Sequence, residues 1–257
     1  MARGAEPKMI PTLHLLLDHD NIDFDRFPIR HILTEWITSL SAHLVDSRIL
    51  TVRVRSYGGW FHGATVSESR YSAAQFYQTQ MPSAFTVGNH LCRLSFDFAD
   101  HLYLGEGDAN RVKVTHTVVE RSKPDFLTFR KPRHECVHPE CTVSQVRKWL
   151  RRARACFHPD CPLSFADVFV RLEQKQVDVH LALDLVFIGE VLGDGDHLAV
   201  VSDDIDLLPA LVAAGRRRKS GKCSLSLVRC QEPPAYLVDT LTGEEVQLFI
   251  IQEVGHA

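Results

Sequence analysis

The chain has 257 residues, 45% hydrophobic and 24% charged, with a formal net charge of −3. That allows one sizeable core with a small appendage, and no apolar stretch is long enough to cross a membrane. Seven cysteines behind a start that lacks the apolar segment of a secretory leader lead us to expect a cytoplasmic protein. Its thiols should then be reduced or bind metal rather than form a disulfide framework.

In chain order, Leu15-Leu16-Leu17-Asp18-His19-Asp20-Asn21 is a short apolar run that stops in aspartates. Continuous apolar runs of this length suit strands buried on both faces. Ile29, Ile32, Leu33, Trp36, Ile37 and Leu40 recur at helical spacing and predict a helix over 28–44. The alternation in 49–57 predicts a strand ended by Gly58-Gly59, and 67–80 a helix stopped by Pro82. Residues 91–104 and 111–120 flank a turn rich in Gly, Asp and Asn and predict a β-hairpin. After an irregular stretch, 164–173 is expected to return to the main sheet. A helix follows over 178–189 with Asp178 as its N-cap. Then come a strand over 197–201 running into Ser202-Asp203-Asp204-Ile205-Asp206, a helix over 207–214 closed by Gly215, and strands over 223–229 and 246–254. Strand and helix alternate, so the expected fold is an α/β three-layer core with a mainly parallel central sheet.

The irregular stretch, 121–163, is set apart as an inserted basic module. Between Arg121 and Cys161 there are ten Lys/Arg against four Asp/Glu, net +6, so the remainder carries −9. A basic module in an acidic body suggests a polyanionic partner. Cys136-Val137-His138-Pro139-Glu140-Cys141 recurs as Cys156-Phe157-His158-Pro159-Asp160-Cys161. Cys136, Cys141, Cys156 and Cys161 would hold a structural Zn²⁺ able to fold an insert without a core of its own, with His138 or His158 as alternative ligands. Between the pairs, Arg147, Arg151 and Arg154 form a basic stripe at helical spacing, suited to gripping phosphates. Cys92, Cys223 and Cys230 read as core or strand residues. The run Arg216-Arg217-Arg218-Lys219 either complements a helix C-terminus or lines a substrate path.

The acids carry the chemistry. Open α/β sheets bind ligands beyond the carboxyl ends of their strands. Carboxylates crowded there repel one another unless a hard cation holds them, which points to Mg²⁺ or Mn²⁺. Asp178 and Asp184 lie about 120° apart around a helix, so they share a site only if Asp178 sits at the loop-to-helix junction. His180 and Asp184 share a face at i, i+4, which makes His180 a supporting group.

Three blocks resemble the NYN family, a branch of the PIN-like metal-dependent nucleases. Asp18-His19-Asp20-Asn21 resembles the family's Asp-x-x-Asn opening. Lys175-Gln176-Val177-Asp178-Val179 through Asp184 is similar to Lys-Gly-Val-Asp-Val…Asp. Ser202-Asp203-Asp204-Ile205-Asp206-Leu207-Leu208-Pro209 is similar to Ser-Gly-Asp-x-Asp-Phe-x-Pro. Gln176, Asp203 and Leu207 depart from that pattern. The resemblance covers 12–60 and 165–230, and it implies a PIN-like Rossmannoid fold over a single domain, 1–257. It also implies a metal-dependent endonuclease acting on RNA. Asp18, Asp178 or Asp184, Asp204 and Asp206 would form the Mg²⁺ or Mn²⁺ site, with Asp178 and Asp184 both in catalytic reach. Asn21, Lys175 and Ser202 would contact substrate or orient the acids. A homo-oligomer is neither required nor excluded.

Two other classes compete. Leu16-Leu17-Asp18-His19-Asp20 also looks like the Asp-x-Asp strand of haloacid-dehalogenase-type phosphohydrolases, with Asp18 as nucleophile and Asp20 as acid/base. Asn21 is not the residue expected after that motif, and the Asp178…Asp184 block is left without a role. The remaining class is a non-catalytic nucleic-acid-binding protein in which the basic module does the binding.

Overall fold

A computed structural model describes residues 10–44, 48–103, 112–121, 145, 161, 171–218 and 223–254. Along the chain the strands are β1 (Thr12–Asp18), β2 (Ile49–Tyr57), β3 (Phe61–His62), β4 (Thr65–Val66), β5 (Ala84–Val87), β6 (His90–Phe98), β7 (His101–Leu102), β8 (Val112–Lys113), β9 (Val118–Arg121), β10 (Arg171–Gln174), β11 (His197–Val201), β12 (Ser224–Arg229) and β13 (Gln247–Ile250). The α-helices among the described residues are α1 (Ile29–Ser39), α2 (Glu68–Gln80), α3 (Val177–Val191), α4 (Leu208–Arg217) and α5 (Ala235–Gly243). The chain divides into two compact units, Met1–Thr117 with Lys175–Ala257, and Val118–Gln174.

The larger unit is built on a seven-stranded sheet, order β13-β12-β11-β1-β2-β6-β5. Every pair in it is parallel except β5 with β6. The apolar runs of β1 and β11 lie side by side at its centre, with Leu17 opposite Val201. Burial on both faces explains why neither run alternates with polar residues. On one face α1 packs Ile29, Ile32, Leu33, Trp36 and Ile37, and α2 packs Ala73 and Tyr77, against Leu13, Leu15 and Leu17. On the other face Leu181, Leu185 and Ile188 of α3, Leu211 of α4 and Leu237 of α5 pack against Leu16, Leu198 and Val200. Each of the buried Leu and Ile side chains contributes about 1.5–3 kcal/mol by leaving water. The result is a three-layer α/β/α unit with a mostly parallel sheet. No described helix is long and apolar enough to cross a membrane.

Several expectations need correction. The hairpin of 91–104 with 111–120 is reduced to the antiparallel pair β7 and β8, and β6 ends at Phe98. The return to the main sheet does not occur in the described part of 164–173. In the smaller unit β10 instead pairs antiparallel with β9. Gly215 does not close α4, which continues to Arg217. Helix α5 was not anticipated, although the parallel strands β12 and β13 need a crossover between them. Most of the Cys-rich insert, with Cys136, Cys141, Cys156, Arg147, Arg151 and Arg154, lies outside the described residues; Cys161 is half-buried. Cys92 and Cys223 are buried and Cys230 half-buried, as core or strand residues.

Two histidines on the central strands sit away from the acids. Burial holds both His14 of β1 and His197 of β11 at a pKa of about 4, with Arg53 adding to the effect at His14 and His43 at His197. Unfolded imidazoles titrate near 6.5. The stability contributed by the neutral rings is therefore complete above that pH and is lost as pH falls toward 4. Urea unfolding at pH 7 and pH 5 should show a loss on the order of 1–2 kcal/mol per ring. That loss should shrink in the His14→Asn, His197→Asn double variant; an equal loss in the variant would refute the assignment.

Candidate metal centre

From β1 the chain builds β2 and β6 on one side and then crosses back to β11 on the other. The carboxyl ends of β1 and β11 therefore flank the point where the strand order reverses, where such sheets bind ligands. Asp18 ends β1 and is 2% exposed. Ser202 Oγ donates to Asp18 Oδ2 at 2.6 Å, and Asn21 Nδ2 donates to the same oxygen at 2.7 Å. Ser202 Oγ also accepts from the Asp204 N–H at 3.0 Å. Asp204 Oδ1 in turn accepts from the Asp206 N–H at 2.8 Å, capping the 3₁₀ turn Ile205–Leu207. One hydroxyl thus ties together two segments that are 184 residues apart.

Asp203 faces the other way. Its Oδ1 accepts from the Cys230 and Gln231 N–H groups at 2.9 and 3.0 Å and lies 3.6 Å from Arg229 Nε. Its carboxylate anchors the loop to the end of β12, and the acid of this pair that remains near the strand ends is Asp204. Asp20 is also held, by the Gly59 N–H at 3.0 Å. A Cβ at Gly58 would come within 2.7 Å of Asp20 Oδ2 and of the Trp60 ring, so the glycine pair after β2 is there for close approach.

The two helical acids of the predicted site are separated. Asp178 is not an N-cap. That position belongs to Gln176, whose φ of +65° is left-handed, a conformation in which glycine is the favoured residue. Asp178 instead lies in the exposed first turn of α3, where the helix dipole favours a carboxylate. Lys175 immediately precedes this turn, its N–H donating to the Thr117 carbonyl. Asp184 is fully buried and engaged elsewhere. Its Oδ2 accepts from Arg55 Nε and Tyr57 OH, each at 2.8 Å, and Oδ1 accepts from the Tyr103 N–H at 2.6 Å. His180 Nε2 donates to the His101 carbonyl at 3.1 Å and lies 3.4 Å from Asp184. Arg55 also bonds Asp97 and the His101 carbonyl. Sequence reasoning missed Arg55, although it shares a strand face with Tyr57 and an aspartate buried on α3 needs a cation.

The electrostatics divide the same way. Burial would raise the Asp184 pKa, but hydrogen bonding from His180 and the Arg55 charge hold it below the usual range. At Asp18 burial prevails over the bonds from Asn21 and Ser202, and Asp178 and Asp20 add repulsion, raising the carboxyl to about 6. Asp178, exposed at its turn but partly desolvated by its neighbours, is raised by that desolvation and then by Asp204 and Asp206. The charges of Asp178 and Asp20 therefore reach Asp18, and those of Asp204 and Asp206 reach Asp178.

Among the described residues no three His, Cys, Asp or Glu side chains are grouped closely enough to hold an ion by themselves. The donor chemistry still fits Mg²⁺ or Mn²⁺. Asp18 Oδ1 receives no hydrogen bond among the described residues, and Mg²⁺ commonly takes only one or two carboxylates and keeps several waters. Arg216, Arg217 and Arg218 do not border this site. They close the far end of α4 and pair with Glu244, Glu190 and Glu245. Compared with known protein families, curated proteins and solved structures, the chain matches none.

The two buried aspartates should respond oppositely to neutralisation in chelator-treated protein. Asp18 has a raised folded pKa, so its folding contribution is favourable below the unfolded value and is lost as pH rises through about 6. Asp18→Asn should therefore stabilise the protein by about 1–2 kcal/mol at pH 8 and have no such effect at pH 4. Asp184→Asn should destabilise by about 3 kcal/mol at pH 8, because it removes the one buried carboxylate from Arg55 and leaves that cation to the exposed Asp97 and a carbonyl. Denaturant melts of the two variants check both signs; destabilisation by Asp18→Asn at pH 8 would refute the account of Asp18 as a buried carboxylate raised by desolvation and neighbouring acids.

Proposed function

We propose that the protein is a metal-dependent nuclease of the NYN and PIN-like kind, hydrolysing phosphodiester bonds in RNA. The observation that carries this reading is the junction of Asp18 with the Ser202–Asp204 segment at the strand-order reversal. Asp18, Asp204 and Asp206, with Asp178 beside them, would hold Mg²⁺ or Mn²⁺. The ion, when bound, would activate a water and neutralise charge on the scissile phosphate.

The chain's own residues have definite tasks in this scheme. Asn21 and Ser202 orient Asp18 by donating to one of its oxygens, leaving the other available. Asp204 fixes the turn that carries Asp206. Lys175, at the same end as Asp178, suits a phosphate contact. Asp184 has its lone pairs committed to Arg55, Tyr57 and the Tyr103 amide, so we assign it to positioning α3 rather than to holding the ion. Cys136, Cys141, Cys156 and Cys161 would bind structural Zn²⁺, and Arg147, Arg151 and Arg154 would grip the strand.

Purified protein should cleave labelled single-stranded RNA with Mn²⁺ or Mg²⁺ and not with chelator, and it should carry about one zinc per chain by elemental analysis. Asp204→Asn retains an oxygen to cap Asp206, so it should fold and bind RNA while losing at least about 100-fold in cleavage rate, a loss typical of removing electrostatic stabilisation at a reacting centre. Cleavage that persists in chelator, or in Asp204→Asn, would rule the reading out.

A further inference from the structure

The face of the sheet that carries Asp18 is only partly covered. Helices α3, α4 and α5 pack on Leu16 of β1, Leu198 of β11, Leu225 of β12 and Leu248 of β13, and reach Tyr57 at the end of β2. Tyr57 lies opposite Asp18, so strand alternation keeps Thr51, Arg53 and Arg55 of β2 on this same face. Their partners on β6 are Arg93, Ser95 and Asp97, in that order, and Ala84 of β5 lies opposite Arg93. Arg53, Arg93, Ser95, Asp97 and Ala84 are exposed, and Thr51 and Arg55 half-buried.

Charge on this open area is not balanced. Arg55 stands opposite Asp97 and pairs with it and with Asp184. The next row sets Arg53 opposite Ser95, and the one after it Arg93 opposite Thr51. Among the described residues neither the Arg53 nor the Arg93 side chain makes an ion pair or a hydrogen bond. Most other arginines of the larger unit are matched, such as Arg26 with Glu253, Arg70 with Asp100 and Arg216 with Glu244. On its β1 side Arg53 meets His14, which burial holds neutral with a pKa of about 4. Arg53 and Arg93 are diagonal neighbours, about 7–8 Å apart, and the Thr51 and Ser95 hydroxyls occupy the other two corners. Two like charges so placed repel unless an anion lies between them. The chain has 32 acidic residues against 29 basic, yet the nearest acid in the register, Asp97, is taken by Arg55. Guanidinium forks flanked by hydroxyls are the donor set that suits phosphate oxygens.

We propose that the exposed face of β2 and β6 at Arg53 and Arg93 is a docking surface for the phosphate backbone of RNA, separate from the acidic end of the sheet. The choice of RNA among polyanions rests on the nuclease reading; the fit to phosphate does not. The segment His101–Tyr103, bonded to Arg55 and Asp184, lies between the two places, and no single nucleotide has to reach both. Along β2, Arg53 is four residues from Tyr57, about 13 Å. About four nucleotides at ~3.4 Å each cover that distance, so a longer strand has phosphates at both places. Contacts to phosphate carry no sequence information, and docking here is independent of sequence.

The test uses the full chain without added divalent cation, so that no cleavage intervenes, and measures binding of labelled single-stranded RNA across a range of salt. Log affinity falls with log salt by about 0.7 for each phosphate neutralised on a single strand. The double variant Arg53→Gln, Arg93→Gln, checked for folding by thermal unfolding, should bind at least about fivefold more weakly at low salt and flatten that slope by about 1.4. The effect should be the same for RNAs of unrelated sequence. Arg53→Lys with Arg93→Lys keeps both charges and should keep the slope. Arg30→Gln, which removes an exposed charge from α1 on the opposite face, should change neither quantity. A flattened slope in the glutamine double variant, when the unaltered protein cleaves no RNA with Mn²⁺ or Mg²⁺, would retain the docking surface and remove the nuclease reading. Metal-dependent cleavage together with an unchanged slope in that variant would overturn the surface and leave the nuclease reading standing. So would displacement of bound RNA by poly-glutamate as readily as by unlabelled RNA, which would assign the face to an acidic protein segment.

Discussion

The acidic end of the sheet depends on the register between β1 and β11. With Leu17 opposite Val201, the next residues, Asp18 and Ser202, meet on the same face, and the hydroxyl can bond both the carboxylate and the following turn. A slip of one residue would send the two side chains to opposite faces. The same slip would turn Leu13, Leu15 and Leu17 away from α1 and expose them to the wrong layer. Burial of the apolar core thus enforces the register, and the register delivers the site. The geometry of the acidic end is tied to the same hydrophobic term that folds the molecule.

Helix α3 raises a different problem, because it is apolar on nearly every side. Leu181, Leu185 and Ile188 are buried, yet Val179, Leu183 and Val191 are exposed. A pattern of that kind does not specify how the helix is rotated about its axis. The Asp184 carboxylate does, since only one rotation brings it to Arg55 and Tyr57. A buried ion pair adds little net stability, and its best-supported use is to select one arrangement among several. Because Asp178 sits six residues earlier, about 120° around the helix, fixing Asp184 inward also fixes Asp178 outward, toward Asp204 and Asp206. Two acids on one helix therefore do different work.

What could be read from the sequence follows from which signals are local. The strands β1 and β11 were legible because a central parallel strand is apolar throughout, and the aspartates at or just beyond their ends marked where those strands stop. Helix α1 was legible because one face repeats at helical spacing. The pair β3 with β4 was not, since two-residue strands carry no period, and for the same reason the hairpin expected over 91–104 and 111–120 was drawn too long, its pairing being only β7 with β8. Helix α5 was hidden by Pro233, Pro234 and Gly243, although topology required something between β12 and β13. The Asp178 cap was misplaced because Gln176 takes a left-handed conformation that its identity does not announce. The roles of Arg55 and Asp203 depend on partners 129 and 27 residues away, and no local window contains them.

The loop from Ser202 to Asp206 shows how the acids can be held close without collapse or dispersal. Ser202 is bonded to Asp18, Asp203 to two backbone amides beyond β12, and Asp204 to the Asp206 amide. Three of its residues are thereby fixed by groups that do not depend on a cation. The loop cannot move away from Asp18 and Asp178, so their desolvation, with repulsion from neighbouring acids added to it, remains in the folded state as raised pKa values. A bound divalent cation would remove that cost only in the folded protein, and linkage then requires it to stabilise the fold as it binds. The rigidity of the loop and the closeness of its acids are consequences of the same set of hydrogen bonds.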